Sequence, residues 1–203
     1  MNEMIDSKTD LKNIGLLKNL WELRQALDIY CLISVNAEAI KKAGVGKPFF
    51  GFIQMSCHRL IVLYICKIFD EEKSNRRGVV KYELDSIDGV LRSIDNGKMG
   101  VLNSDKIAVI EKFRKQYDEP LSRFKTLRDK RIAHGESGFS AKDAPSYDHM
   151  ERLFDFGHDF YRLVSEEIIS VGPTDLNSYR MVKTSLTRML KQLGCEKIKT
   201  EME

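Results

Sequence analysis

An all-α fold is predicted by three observations. Apolar residues recur every three or four positions over long segments, which is the signature of one helix face. No run alternates apolar and polar residues over a length useful to a strand. Breaks containing glycine or proline at 44–46, 96–100, 135–145 and 171–174 divide the apolar segments from one another. The expected architecture is a bundle of about six helices with antiparallel neighbours.

The first helix is expected over 8–43, with Ser7 or Thr9 as its cap. Leu11, Ile14, Leu17, Trp21, Leu27, Ile29, Leu32, Val35 and Ile40 give it an apolar face too wide for an isolated helix. Lys41 and Lys42 suit the negative end of its dipole, and Gly44 and Gly46 end it. The second helix follows Lys47, with Pro48 in the first turn. Apolar residues from Phe49 to Phe69 fill much of its circumference, which places it at the centre of the bundle. Residues 70–78 form a charged loop containing Arg76 and Arg77. A shorter helix runs over 79–95 and closes at Asn96 to Gly100. Ser104 then caps a long helical region reaching His134. Asp118-Glu119-Pro120 interrupts that region, because proline removes a backbone donor and crowds the preceding turn. A kink or fresh start is expected there, with Asp118 as cap. Gly135 to Pro145 is a small polar loop with Phe139 as its only aromatic residue. Residues 146–170 form another helix, and a last one runs over about 175–193. The charged tail after Gly194 is expected to fray. Residues 1–170 are read as the main bundle, with 171–203 as a C-terminal helix and tail packed on the same domain.

Composition excludes several classes. The chain has 203 residues, 42% hydrophobic and 31% charged, ordinary values for a globular protein. A net charge of +3 gives no global basic field, so any nucleic-acid contact must come from a local patch. Cys31, Cys57, Cys66 and Cys195 show no CxxC spacing, and three lie in apolar helical runs. They read as reduced, buried thiols of a cytoplasmic protein. Met1 to Asp10 lacks the apolar core of a signal peptide, and Ile61 to Cys66 reads as a buried helix rather than a membrane span. His149 and His158 stand nine positions apart on opposite sides of one helix, and no compact ligand spacing exists. No metal or other cofactor is expected.

The chemistry gathers between Leu121 and Gly135. This stretch carries Arg123, Lys125, Arg128, Lys130 and Arg131, then His134. At about 100° per residue, with Leu121 at zero, Phe124 falls near −60°, Leu127 near −120° and Ile132 near +20°. Arg128, at about −20°, lies inside that apolar stripe, and the other four cations lie further from its centre. A guanidinium aimed at a buried surface must be paired or hydrogen-bonded. His134 lies roughly 120° round from it. Two readings follow. Arg128 pairs with a carboxylate of a neighbouring helix while His134 caps the C-terminus, or the two face a cleft and handle phosphate. Arginine offers a planar donor fork for phosphate oxygens, and histidine moves protons near neutral pH.

The string Arg128-Asp129-Lys130-Arg131-Ile132-Ala133-His134 resembles the motif of the HEPN superfamily, an arginine, a polar residue and a histidine on one helix of an all-α bundle. More narrowly, the chain is similar to the AbiU-type HEPN proteins linked with abortive infection of bacteria by phage. The opening Phe49-Phe50-Gly51-Phe52-Ile53-Gln54 and the ending Ile65-Cys66-Lys67-Ile68-Phe69-Asp70 of the second helix support the likeness, which covers roughly 10–170. The resemblance implies a four-helix core and a homodimer in which two motif helices build one composite site. It implies a metal-independent endoribonuclease of phage-defence or toxin–antitoxin type. In that role Arg128 would hold the scissile phosphate, His134 would transfer a proton and Asp129 would orient one of the reacting groups. Lys130 and Arg131, with Arg123 and Lys125, would attract the RNA backbone. Toxins of this kind are often held in check by an antitoxin protein. The chain departs from the family at Asp129, where asparagine is frequent; a carboxylate beside a phosphate site is unhelpful unless it is paired. Two other readings stand beside this one: a non-catalytic RNA-binding or oligomerising module, and a helical structural or regulatory protein with a paired Arg128.

Overall fold

Helical periodicity carries through to the structure with two long segments each divided in two. The computed structural model describes residues 15–44, 46–69, 85–133, 145–169, 175–176, 181–195 and 198–200, with the backbone alone of Arg131, Ala133 and Ile169. Among these residues all regular structure is helical: α1 Gly15–Val35, α2 Ala37–Lys42, α3 Lys47–Phe69, α4 Ile87–Asp95, α5 Ser104–Gln116, α6 Asp118–Thr126, α7 Tyr147–Val164 and α8 Met181–Gln192. Helix α6 runs on through Leu127–Ala133, and α7 through Ser165–Ile169, in wider turns with i→i+5 pairing. The all-α bundle expected from the sequence is the observed fold.

Local chemistry sets the ends. Gly44 and Gly46 take positive φ, +69° and +64°, at the break between α2 and α3. The fresh start at Pro120 occurs as expected, but Tyr117 occupies the cap position and Asp118 is the first helical residue. Asn103, not Ser104, caps α5, accepting from the Asp105 N–H at 3.0 Å. The helix expected over 79–95 begins at Ile87, where the Ser86 hydroxyl accepts from the Gly89 N–H; residues 79–84 lie outside the described residues. At the head of α7 the Ser146 hydroxyl accepts from the His149 N–H, and His149 Nδ1 accepts from the Ser146 N–H. His149 therefore serves as a cap.

The unexpected division is at Asn36. Its side chain is buried and donates to the Leu32 and Lys199 carbonyls, both at 2.8 Å, while accepting from the Lys199 N–H at 2.9 Å. An asparagine amide offers the backbone an alternative partner, so the helix ends and restarts there. The same bonds correct the expectation of a frayed tail: Lys199 is docked on Asn36, and Cys195 is buried.

Two apolar clusters hold the bundle. The larger joins Leu16, Leu20, Leu23 and Leu27 of α1 to Ile61, Ile65 and Ile68 of α3, Phe124 and Leu127 of the motif helix, and Leu153 and Phe154 of α7. The smaller joins Leu32 and Ile33 at the end of α1 to Ile40, Phe50, Leu190 and Cys195, so α8 packs on α1. Gly157 lets α7 approach α1 closely: a Cβ there would sit 2.8 Å from a Leu20 methyl. Stacked rings of Tyr117, Phe113 and Phe156 tie α5 to α7, with centroids 4.3 and 3.5 Å apart.

Helix α3 packs against α1, the motif helix and α7. Its apolar circumference had placed it at the centre of the bundle. Only part of that holds among the described residues. Ile61, Val62, Ile65 and Ile68 are fully buried, whereas Phe49, Phe52, Met55, Leu60 and Leu63 stand outward and exposed. Among the described residues it is also the one helix long and apolar enough to cross a membrane.

A buried ion pair links α1 to α7. Arg24 and Asp28, one turn apart, are both almost fully buried. The Arg24 Nη2 lies 2.7 Å from Asp28 Oδ1, and its two Nη atoms reach the two Glu151 oxygens at 2.8 and 3.0 Å. The guanidinium also lies 4.9 Å from the centre of the Phe154 ring. Burial alone would lower the Arg24 pKa, but the Glu151 hydrogen bond and charge, then Asp28, hold it above its ordinary value. The Tyr147 hydroxyl donates to Glu151. Burial first, then Glu151, pushes the Tyr147 phenol well above its usual range. Arg24→Ala leaves Asp28 buried without its cation and is expected to cost about 3–5 kcal/mol of stability. Urea unfolding followed by circular dichroism measures this. A loss under about 1 kcal/mol would show that the pair is not desolvated as described.

Candidate functional site

The motif helix is positioned by its apolar edge. Leu121, Phe124 and Leu127 are buried against α3 and the core, and Ile132 packs there half-buried. Helix α6 is an ordinary α-helix to Thr126, and from Leu127 to Ala133 it widens. Wider turns advance the chain by roughly 80° per residue instead of ~100°. That swings Ile132 from about +20° to about −70°, in line with Phe124. The widening thus keeps the last apolar residue on the core side while the Asp-Lys-Arg segment that follows Arg128 passes round the outside. Such widened turns recur at functional sites.

Arg128 sits at the margin of this edge, with about 30% of its side chain exposed. The wheel had placed it inside the stripe. A long side chain at such a margin can keep its stem on apolar surface while its charged end stays in water. Arg128 Nε donates to Asp129 Oδ1 at 2.7 Å. The carboxylate that departs from the family pattern is therefore paired with the motif arginine itself. Lys130 is exposed and Lys125 half-exposed. Arg123 pairs with Glu119 one turn earlier. The side chain of Arg131, all of His134 and the loop from Gly135 lie outside the described residues. So do Arg76, Arg77 and Phe139. The structure brings Arg128 and Asp129 together, with Lys125 and Lys130 on the same short segment. From Asp118 to Ala133 the sequence carries five cations, Arg123, Lys125, Arg128, Lys130 and Arg131, against three carboxylates, Asp118, Glu119 and Asp129, a small local positive excess.

Other histidines have structural surroundings. His158 is buried and its Nε2 accepts from the Leu176 N–H at 3.4 Å. His58 packs beside Tyr30, ring centroids 5.9 Å apart. Among the described residues no group of three or more His, Cys, Asp or Glu is placed to hold a metal ion. All four cysteines are buried, and burial pushes the Cys57 thiol upward.

What sequence reading missed is the arginine that is buried. Arg24, Asp28, Glu151 and Tyr147 form the charged interior, and Tyr30 stacks on Tyr147 at 6.2 Å. A signal was present: Arg24 and Asp28 are opposite charges four apart, set between Leu20, Leu23 and Leu27 on an apolar helix face. Glu151 gave none, since its pairing depends on how α7 crosses α1.

An all-α bundle with an arginine and a polar residue on one widened helix, followed in sequence by a histidine six positions after the arginine, has the marks of a HEPN-type protein. The comparison with known families agrees: the AbiU2 model of the HEPN group matches residues 15–183, most of the chain, and the protein belongs to that family. Membership places it among HEPN proteins of the abortive-infection type. No match was found among curated proteins or among solved structures.

Proposed function

We propose that this protein is a metal-independent endoribonuclease of a bacterial phage-defence or toxin–antitoxin system, acting at a composite site built by two copies. The observation that carries the reading is the Arg128–Asp129 pair, held at the rim of a widened helix and six positions before His134 in the sequence, in a chain of the AbiU2 family. The Arg128 fork exchanges Asp129 for a phosphate of RNA and stabilises the charge that develops on it. The 2′-oxygen attacks phosphorus and the 5′-oxygen leaves. His134 takes the proton of the 2′-hydroxyl or supplies one to the leaving oxygen. Asp129, once displaced, orients the histidine or the hydroxyl. Lys125, Lys130 and Arg131, with Arg123, draw in the backbone through contacts that weaken with salt.

The test is cleavage of mixed RNA in EDTA. Wild type is expected to cut and leave 2′,3′-cyclic phosphate ends, and His134→Ala to lose about 100-fold or more in rate. Equal cleavage by the two sinks the assignment. A second reading, binding without cutting, is favoured by the same Asp129 contact, which occupies the arginine that catalysis needs. It predicts salt-sensitive RNA binding that survives His134→Ala, falls on Arg128→Ala, and is accompanied by no cleavage.

Asp129 also makes a separate expectation. Removing a half-exposed carboxylate that competes for Arg128 releases about 0.5–1 kcal/mol, so Asp129→Asn should bind RNA roughly two- to fivefold more tightly. Titration of labelled RNA at fixed low salt reads this. Weaker binding by the variant would mean that Asp129 positions Arg128 rather than competing for it.

A further inference from the structure

The net charge of +3 conceals an uneven distribution. Residues 36–48 and 176–203 together carry nine Lys and Arg against four carboxylates, net +5, and the rest of the chain, 24 against 26, is net −2. The fold packs the described parts of these two segments together. Leu186, Leu190 and Leu193 of α8 meet Leu32 and Ile33 of α1, Ile40 of α2 and Phe50 of α3. Lys199 is docked on Asn36 at the break between α1 and α2. Lys41 and Lys42 of α2, Lys47 at the head of α3, Arg188 and Lys191 of α8, and Lys199 are all exposed. On α8, Arg188 and Lys191 lie about 60° apart and roughly 100–160° round from the leucines that face the core.

This surface differs from the other solvated helix faces of the bundle. Elsewhere exposed arginines sit one turn from a carboxylate: Arg123 with Glu119, Arg152 with Asp148 and Arg162 with Glu166. Helices α8 and α3 contain no carboxylate, and α2 has only Glu38. Among the described residues Lys41, Lys42, Lys47, Arg188 and Lys191 make no ion pair. Like charges three apart, as at 188 and 191, repel, and an external polyanion would relieve that repulsion.

We infer that this end of the bundle is a second RNA-contacting surface, which holds the phosphate backbone of the RNA on which the motif helix acts. The inference rests on the RNA reading for its class of ligand. Lysines on long stems meet successive phosphates as point charges without reading sequence, and the exposed hydroxyls of Thr184 and Ser185 are further donors to phosphate oxygens. A lipid surface fits less well. An interfacial helix must lay its apolar side into the headgroups, and that side of α8 is packed in the protein, with Leu190 fully buried. An acidic protein fits less well too, because an interface core needs large apolar anchors, and Met181 and Met189 are the exposed large apolar residues of α8.

The surface and the motif stand on different helices, so an RNA must be long to touch both, whereas a dinucleotide reaches the motif alone. The test uses the full chain and a long RNA of mixed sequence methylated at its 2′-oxygens, which the proposed reaction cannot cut. Fluorescence anisotropy is expected to show binding at low salt, weakened at least fivefold by Arg188→Gln with Lys191→Gln. The slope of log affinity against log salt should fall by about 1.4, since each phosphate contact on a single strand contributes about 0.7. Lys18→Gln with Lys112→Gln, which removes the same charge from exposed positions on α1 and α5, should change affinity less than twofold. Circular dichroism checks that both variants fold. On cleavable RNA the 188/191 variant should show a raised KM with kcat unchanged, and on a dinucleotide it should match wild type. The inference is overturned by a wild type that binds no RNA, by a 188/191 variant that binds as wild type does, or by equal losses in the two variants. Displacement of the RNA by poly-glutamate at equal charge concentration also overturns it and points to an acidic protein. Binding that behaves as expected without any cleavage supports the surface and counts against the nuclease reading only.

Discussion

The bundle turns on a charge buried where helices α1 and α7 cross. Arg24 is enclosed by Asp28 of its own helix, by both oxygens of Glu151 and by the face of Phe154. Such a pair contributes modestly to net stability, because desolvating three charges offsets most of their attraction. It is instead demanding of geometry. Arg24 meets Glu151 only if α1 and α7 keep one register, and the Leu20–Gly157 approach lies along the same crossing. With that register fixed, the apolar face of α1 is presented to α3, and α3 in turn seats the motif helix. The placement of Arg128 is thus downstream of a contact made on other helices.

The motif helix combines two demands that an ordinary α-helix cannot meet together. Its apolar residues must stay on the core side through Ile132, and its cations must reach the rim within the same two turns. Widening from Leu127 meets both, because the slower rotation returns Ile132 to the line of Phe124 while Asp129, Lys130 and Arg131 pass round the outer side. The cost is weaker hydrogen-bond geometry in that segment. A segment with that conformation, ending beside a histidine, suits a site that has to exchange an internal partner for an external anion. The Arg128–Asp129 contact has the character of such a partner: half-exposed, between neighbours in sequence, and made by one nitrogen of the guanidinium fork.

Much of the fold was legible in the sequence because helical periodicity, end signals and glycine breaks are local. The helices at 47–69, 104–116, 118–133 and 147–169 fall close to their expected places, and the restart at Pro120 follows from its missing donor. Errors arose where a side chain acted over a distance. Asn36 ends α1 because Lys199, far along the chain, is there to pair with it. The wheel gave Arg128 the role of buried cation, yet its side chain is about 30% exposed and Arg24 holds that role, because a wheel places a side chain on a face without saying how closely the neighbouring helices cover it.

The sequence by itself determined the helical class, the breaks between helices and the string from Arg128 to His134 that carries the family likeness. Each depends on residues within a turn or two of one another, so the chain encodes it without knowing its neighbours. Tertiary structure decided which charges are enclosed and which apolar residues remain uncovered. Arg24 is buried because α7 delivers Glu151 to it, and Phe52 and Leu60 stay exposed because none of the described helices covers them. Burial is a property of packing between elements, and a single helix wheel cannot say how many neighbours will come to cover it.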